Sequence, residues 1–202
     1  MVFFITSFLL LQKMYSMKQN KIFRIAILIA AFGFMSTLQS CTKALQGLKF
    51  NLGLQTQSVS VDVPVTPAGS IAIGPLTSTY NLDSFIKAQT GNQLGVSNIS
   101  SVKLVSVVIT INNPDANNNF ANFQSVNASF YSNTNSTPYA ISLTNNPNTY
   151  ATSLSLPVNS NDELKGYFGT QYTYNISGDL RSPITTILHC TVQYSYNLIV
   201  QG

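Results

Sequence analysis

Alternation of apolar and polar residues near the carboxyl end of the chain is the feature that most constrains its fold. Across residues 189–200 the apolar set is Cys190, Val192, Tyr194, Tyr196, Leu198 and Val200, and the polar set is His189, Thr191, Gln193, Ser195 and Asn197. Successive side chains of a β-strand point to opposite faces, so this period of two predicts a strand with one buried face. Residues 170–180 repeat the pattern, with Tyr172, Tyr174, Ile176 and Leu180 in one phase.

Further strands are predicted upstream of these two. Residues 59–65 alternate around four valines, and Pro64 places this strand at a sheet edge because proline cannot donate to a ladder. Residues 102–111 are apolar in both phases, which predicts a central strand covered on both faces. Shorter strands are predicted at residues 71–73, 123–131, 139–143 and 150–158, and a weak alternation at Phe50, Leu52 and Leu54 leaves a first edge strand open.

One short helix is expected after residue 81. Asn81 is a good N-cap, Asp83 lies in the first turn, and Gly91 can end the helix. Leu82, Phe85 and Ile86 share one face. Its predicted role is to cover an open end of the sheets. Many short strands with one helix predict a mainly β protein, an antiparallel β-sandwich of immunoglobulin-like style, with a small β-barrel as the alternative.

The charge distribution divides the chain at Cys41. The formal charge of +4 and the pI near 9.1 suggest an acidic partner, but Lys13, Lys18, Lys21 and Arg24 all precede Cys41 and no acidic residue does. From Cys41 onward, basic and acidic residues are equal in number. We therefore expect no nucleic-acid partner for the segment that follows.

Residues 17–41 have the architecture of an export signal. A basic segment from Met17 to Arg24 precedes an apolar run that ends at Met35. As a helix this run measures about 16 Å, too short for a hydrocarbon core of ~30 Å. The tetrad Leu38-Gln39-Ser40-Cys41 follows, and it resembles the lipobox of bacterial lipoproteins.

The resemblance implies cleavage between Ser40 and Cys41, a diacylglycerol on the Cys41 thiol and acylation of the new amino terminus. It covers residues 17–41 only, and the segment beyond is matched to no family. We divide the chain into residues 1–16 as an upstream extension, 17–40 as signal peptide, 41–55 as lipidated tether and 56–202 as the sandwich domain. Met17 is then the true start, with Met1 as the alternative. Lipidation leaves Cys190 as a free thiol; a Cys41–Cys190 disulfide is the competing hypothesis.

Candidate catalytic and metal-binding groups are few. His189 and Cys190 are adjacent on a predicted strand and face opposite ways, which disfavours a nucleophile pair. Asp162-Glu163 is interpreted as a polar turn. The string that starts at Asp115 opens like a calcium loop, but Phe120 and Val126 stand where glycine and glutamate belong, so turn chemistry explains it better. We expect no cofactor and no metal.

The sequence therefore predicts a non-enzymatic structural or interaction module of the cell envelope. Its expected partners are a membrane, through the acyl chains of Cys41, and other envelope proteins. The absence of an acidic run after Cys41 favours a position on the periplasmic side over display outside the cell. We expect anchoring at the outer membrane, facing the periplasm. The alternative is a module that binds a glycan or an apolar ligand through the tyrosine-rich strands, although the phase of Tyr172, Tyr174, Tyr194 and Tyr196 favours a core role.

Overall fold

The computed structural model describes residues 47–202, which form eight strands, one α-helix and three 3₁₀ helices. The strands are β1 (Lys49–Val63), β2 (Gly69–Thr79), β3 (Ile99–Ile111), β4 (Phe123–Ser132), β5 (Tyr139–Leu143), β6 (Ser153–Leu156), β7 (Gln171–Leu180) and β8 (Leu188–Gln201). The α-helix is α1 (Leu82–Gln89), and the 3₁₀ helices are Val96–Asn98, Phe120–Asn122 and Lys165–Tyr167. None of the helices in the described part is long and apolar enough to cross a membrane.

The strands form two four-stranded antiparallel sheets, with the order β1-β8-β3-β6 in the first and β2-β7-β4-β5 in the second. The predicted antiparallel β-sandwich with one short helix is therefore confirmed. Since the two sheets share no strand, the chain does not adopt the alternative of a closed barrel. Six of the seven chain connections cross between the sheets, and the β4–β5 connection stays within the second sheet. This strand order is that of a jelly roll. It differs from the immunoglobulin-like order that the sequence predicts, because the first and last strands are neighbours in the first sheet.

The inward faces of β7 and β8 form the centre of the core. On β8 the six predicted inward positions are all buried: Cys190, Val192, Tyr194, Tyr196, Leu198 and Val200. On β7, Tyr172, Tyr174 and Leu180 are buried and Ile176 is half-buried. Both strands have a partner strand on each side, so the two clearest alternations in the sequence belong to central strands.

β3 is central, as predicted, but only one of its faces is covered. Its pairing with β8 shifts register between Leu104 and Ser106, which marks a β-bulge. The bulge brings Val102 and Leu104 onto the same buried face as Val107, and leaves Val105 39% exposed. The even-numbered residues Val102 and Leu104 face the core before the bulge, and odd-numbered residues face it after the bulge. Apolar residues therefore occur at both even and odd positions although only one face is buried, and the prediction of two covered faces is wrong.

β1 lies at the edge of the first sheet, as Pro64 predicts. The strand begins at Lys49, so residues 49–55 of the predicted tether are part of it. Gly53, with a φ of 75°, forms a register shift between Asn51 and Leu54. This shift turns Leu54 outward, where it is 57% exposed, and interrupts the alternation that Phe50 and Leu52 begin.

Helix α1 closes one end of the sandwich, as predicted. The Asn81 side chain accepts a hydrogen bond from the Ser84 amide at 2.9 Å, which satisfies one of the free amides of the first turn. Asp83 pairs with Lys87 one turn later at 2.6 Å. Leu82 and Ile86 are buried in the same hydrophobic cluster as the sheets.

The antiparallel pairing gives the sandwich two different ends. At the first, which we call the base, Lys49 lies opposite Gln201 and Ile99 lies opposite Val200, and α1 is at the same end. At the second, the four-loop end, residues 64–68, 112–122, 144–152 and 181–187 connect β1 to β2, β3 to β4, β5 to β6 and β7 to β8. The chain therefore begins β1 and finishes β8 at the base.

The phase of β8 predicts a large loss of stability at one residue and almost no change at its neighbour. Leu198→Ala should lower the free energy of unfolding by about 3 kcal/mol, because it empties a fully buried position. Asn197→Ala, on the exposed face, should change it by less than about 0.5 kcal/mol. Denaturant unfolding followed by circular dichroism measures both, and equal losses would contradict the assigned phase.

Candidate functional site

The predicted lipidation site, Cys41, and the residue before the predicted cleavage point, Ser40, lie outside the described residues. So do the predicted signal peptide and the upstream extension. These remain predictions from the sequence. The described part of the chain shows what the domain presents beyond the predicted tether.

His189 and Cys190 lie on opposite faces of β8, as predicted. Cys190 lies in the core, only 4% exposed, and has no disulfide partner within residues 47–202. Its Sγ lies 3.9 Å from the Leu188 carbonyl oxygen. His189 is on the outer face, where its Nδ1 lies 2.8 Å from Oδ1 of Asp62 on β1. The sequence did not reveal the histidine–aspartate pair, because only the register of β1 against β8 brings the two together.

Burial also makes the Cys190 thiol unreactive. Desolvation, with a smaller contribution from the nearby Asp62 carboxylate, raises the pKa of Cys190 to about 11. Since the thiolate is the nucleophilic form, a thiol with this pKa is almost fully protonated at neutral pH. Cys190 is therefore a structural residue of the core.

The Asp162-Glu163 pair ties the loop before β7 to two other elements. Asp162 accepts hydrogen bonds from the Tyr139 hydroxyl at 2.8 Å and from the Asn159 side chain at 2.6 Å. Glu163 accepts from Ser101 Oγ, from the Val102 amide and from the Lys165 amide at 2.6 to 3.0 Å. Partial burial disfavours the Glu163 carboxylate, but these hydrogen bonds outweigh burial and lower its pKa.

The two acids have different hydrogen-bonding partners and hold local structure. This agrees with their interpretation as a polar turn.

Asp179 has a comparable role on the outer face of the second sheet. Its carboxylate accepts hydrogen bonds from the hydroxyls of Ser70 and Ser125 at 2.8 and 2.9 Å. These two bonds lower the pKa of Asp179. They join β2, β7 and β4 beside a shallow groove of about 360 Å³ that Asn127 and Ser177 also line.

The loop that starts at Asp115 follows turn chemistry, as predicted. Asp115 Oδ1 accepts hydrogen bonds from the amides of Asn117 and Asn118 at 2.7 and 2.9 Å. Hydrogen bonds from the Asn118 side chain and the Asn117 amide lower the pKa of Asp115. Within residues 47–202 no three His, Cys, Asp or Glu residues are grouped so as to hold a metal ion.

The four inward tyrosines belong to the core. Tyr172, Tyr174, Tyr194 and Tyr196 are each 2 to 4% exposed. Gln57 on β1 links two of them, since its Oε1 accepts from the Tyr174 hydroxyl and its Nε2 donates to the Tyr196 hydroxyl. Burial raises the pKa of Tyr172 to about 12 and raises the pKa values of the other three as well.

The sandwich interior has little free space beside these rings. Two cavities of about 20 Å³ each lie among the core side chains, one next to the tyrosines and one next to Cys190. A cavity of this size holds about one water molecule. Among the tyrosines of residues 47–202, Tyr150 is the most exposed, at 59%, and it lies in the loop between β5 and β6.

A groove of about 410 Å³ opens at the four-loop end. Its polar lining comes from Asn117, Asn119, Asn122, Asn148, Ser182 and Thr185, and its apolar lining from Ala116, Ala121 and Pro183. These residues belong to three of the four loops that join the two sheets at this end. Its volume lies within the range of roughly 300–1,000 Å³ that is usual for small-molecule sites.

Buried asparagine side chains hold the loops around this groove. Asn118 accepts a hydrogen bond from the Thr185 amide at 2.7 Å and donates to Thr185 Oγ1 at 3.0 Å. Asn122 donates to the main-chain oxygens of Asn117 and Pro183 at 2.9 and 3.0 Å. Each of these side chains joins two loops. We call the hydrogen-bonded asparagines that hold the loops the frame of the groove. The frame fixes the loops by hydrogen bonds and not only by packing.

Two more asparagines complete the frame. Asn119 Oδ1 accepts from the Ala121 amide at 2.9 Å and caps the short 3₁₀ helix Phe120–Asn122. Asn146 donates to the main-chain oxygens of Phe120 and Phe123 at 2.6 and 3.0 Å. The sequence pattern of Asn117, Asn118 and Asn119 indicated a turn, but it did not indicate that partners from the β7–β8 loop would enclose a groove.

Replacement of asparagine by aspartate should reduce stability much more in the buried frame than on the exposed rim of the groove. Asn122→Asp should lower the free energy of unfolding by about 3 kcal/mol, because it replaces a buried amide donor with a carboxylate beside two carbonyl oxygens. Asn148→Asp, on the exposed rim, should cost less than about 0.5 kcal/mol. Denaturant unfolding at pH 7 compares the two, and a tolerated Asn122→Asp would show that the frame is dispensable.

Burial predicts slow modification of Cys190. In a Cys41→Ser chain at pH 8, a thiol reagent should react with the folded protein at least about a hundredfold more slowly than with the unfolded chain. The reason is the rise of the pKa from 9.0 to about 11. The folded state favours the protonated thiol, so the stability that Cys190 contributes is fully present below pH 9 and is lost as pH rises towards 11. Equal rates for folded and unfolded chains would place the thiol outside the core.

No protein-family model and no curated protein matches the chain. Solved structures do match. A chain of Desmodium yellow mottle tymovirus is 10% identical over 74% of this chain and 89% of that chain, with a TM-score of 0.28. A chain of infectious bursal disease virus is 13% identical over 74% of this chain and 33% of that chain, with a TM-score of 0.36.

A protein of Eubacterium rectale is 16% identical over 78% of this chain and 41% of that chain, with a TM-score of 0.41. This chain therefore spans about a third of the bursal disease virus chain and less than half of the Eubacterium chain. All three TM-scores are below 0.5, so the description of the domain as a jelly roll rests on its own strand order.

Proposed function

We propose that the protein is a bacterial envelope lipoprotein, in which acyl chains on Cys41 hold a jelly-roll domain at the outer membrane, on its periplasmic side. The observation that carries the proposal is the order of the chain: the lipobox-like tetrad ends at Cys41, and a folded domain begins at Lys49. Two or more acyl chains give stable anchoring without any membrane-spanning segment. The domain acts as a non-enzymatic structural or interaction module.

The charge distribution of the domain agrees with anchoring at the base. Lys49, Lys87, Lys103 and Lys165 lie in the half of the sandwich nearest the base, where Asp83, Asp162 and Glu163 offset part of their charge. The opposite half carries Asp62, Asp115 and Asp179 against Arg181. An anionic phospholipid surface attracts lysines and repels carboxylates. The domain would therefore keep its base towards the membrane and its four loops away from it.

The roles of the titratable side chains support a non-enzymatic module. Asp83, Asp115, Asp179 and Glu163 are held by hydrogen bonds that lower their pKa values and fix local structure. Cys190 is a protonated core thiol. Groups used in this way stabilise the fold, and the proposal assigns recognition to the loops of the sandwich.

The alternative of a ligand module that uses the tyrosine-rich strands gains no support from the position of those tyrosines. Tyr172, Tyr174, Tyr194 and Tyr196 are buried, and the cavity beside them holds about one water molecule. A glycan or an apolar ligand would need a surface that these side chains do not present.

Replacement of Cys41 tests the anchor. In a bacterial host, Cys41→Ser should abolish incorporation of labelled palmitate, and should give either a soluble protein or an uncleaved precursor, because serine offers no thiol for the diacylglycerol. Cys190→Ala is the matched control and should keep both the label and the membrane fraction. Cys41→Ser that is still cut after Ser40 and still needs detergent for extraction would refute the proposal.

The interaction role has a separate test. Cross-linking in intact cells followed by purification should recover the protein with other envelope proteins. Repeated recovery of an uncross-linked monomer would argue against an interaction module, whether or not Cys41 is acylated.

A further inference from the structure

We propose that the groove at the four-loop end binds a neutral, hydroxyl-rich ligand, namely a mono- or disaccharide unit of a glycan. This inference goes beyond the proposed lipoprotein function and names a ligand class for the interaction module. It does not require that Cys41 be acylated, because every residue that carries it belongs to the described domain.

The chemistry of the lining selects for an uncharged ligand. None of the residues that line the groove is ionisable. Asn117, Asn148 and Ser182 are exposed and line it, and their amides and hydroxyl present donors and acceptors side by side. Adjacent hydroxyl groups of a sugar need this combination, because each hydroxyl both donates and accepts.

The apolar part of the lining complements the other surface of a sugar ring. Ala116, Ala121 and Pro183 contribute small apolar side chains to the lining of the same groove. The C–H face of a pyranose can lie against such a patch while its hydroxyls reach the amides. Small-molecule sites combine apolar area with a few well placed polar groups in this way.

The groove is formed before any ligand arrives. Asn118 and Asn122 are 2% and 5% exposed, and their side chains join the β3–β4 loop to the β7–β8 loop. Arg181 donates through its guanidinium to the Asn146 main-chain oxygen and adds the β5–β6 loop to the same frame. A site whose backbone is already ordered loses less conformational entropy when it binds a ligand.

The position of the groove also suits recognition. β1 begins at the base, and the groove lies at the opposite end of the sandwich. A domain anchored through its amino terminus would leave this end open to glycans of the envelope.

Isothermal titration calorimetry on the purified full chain tests the inference, with protein from the membrane fraction in detergent or, if Cys41 is not acylated, from the soluble fraction. The probes are neutral disaccharides of glucose, N-acetylglucosamine, xylose and mannose, with a uronic-acid disaccharide as the charged comparison. At least one neutral probe should bind saturably with a Kd of about 1 mM or lower. The uronic-acid probe should bind more weakly.

Variants locate the binding. Asn117→Ala combined with Asn148→Ala should weaken binding at least about tenfold, since the pair supplies the exposed amides of the groove. Asn161→Ala combined with Asn197→Ala removes two exposed amides in the half of the domain nearest the base and should leave the Kd unchanged. Matching unfolding midpoints for the two double variants would show that both are folded.

Three results would overturn the inference. The first is the absence of saturable binding of every neutral probe at about 10 mM, well above the expected Kd. The second is binding that both double variants weaken equally, and the third is preference for the uronic-acid probe. Each of these leaves the Cys41 experiment unaffected, so failure of the groove and failure of the lipid anchor can be told apart.

Discussion

Burial of the inward face of β8 is the interaction on which the rest of the structure depends. β8 pairs with β1 along nearly its whole length and with β3 on its other side, whereas β1 pairs with no other strand of its sheet. Each buried aliphatic side chain of β8 contributes about 1.5–3 kcal/mol through removal of apolar surface from water. Loss of β8 would therefore remove the main apolar layer of the first sheet and leave β1 without a partner.

This dependence explains which parts of the fold could be predicted from the sequence. β7 and β8 are central strands with one face buried in the core and the other face towards solvent. The alternation of apolar and polar residues in the sequence follows directly from this arrangement. β3 has the same environment, but its bulge between Leu104 and Ser106 changes the phase within the strand. A single residue inserted in this way makes a one-sided strand look two-sided, and nothing local in the sequence marks where the insertion occurs. The bulge at Gly53 in β1 is easier to predict, because a glycine within an alternating segment can indicate a bulge.

The candidate sites were harder to predict than the strands, for a related reason. Asp62 and His189 are separated by most of the domain in sequence and meet only through strand register. The groove at the four-loop end depends on Asn118 and Asn122, whose partners Thr185 and Pro183 lie in another loop. An asparagine in a loop has the same sequence signal whether its amide faces water or joins two loops. Burial of the side chain decides between these roles, and burial is a property of the assembled loops.

The outer face of the first sheet shows why recognition should concentrate at the loops. Across the first sheet, Ser60, Thr191, Thr110 and Ser153 lie side by side on neighbouring strands. Short hydroxyl side chains in such a row make a level, uncharged surface that offers water good hydrogen bonds and a ligand little enclosed volume. With only 8% of its residues charged, the chain also has few long-range electrostatic features with which to attract a partner. Shape and hydrogen bonding must therefore supply specificity, and in a jelly roll the loops between the sheets vary most freely without disturbing the core.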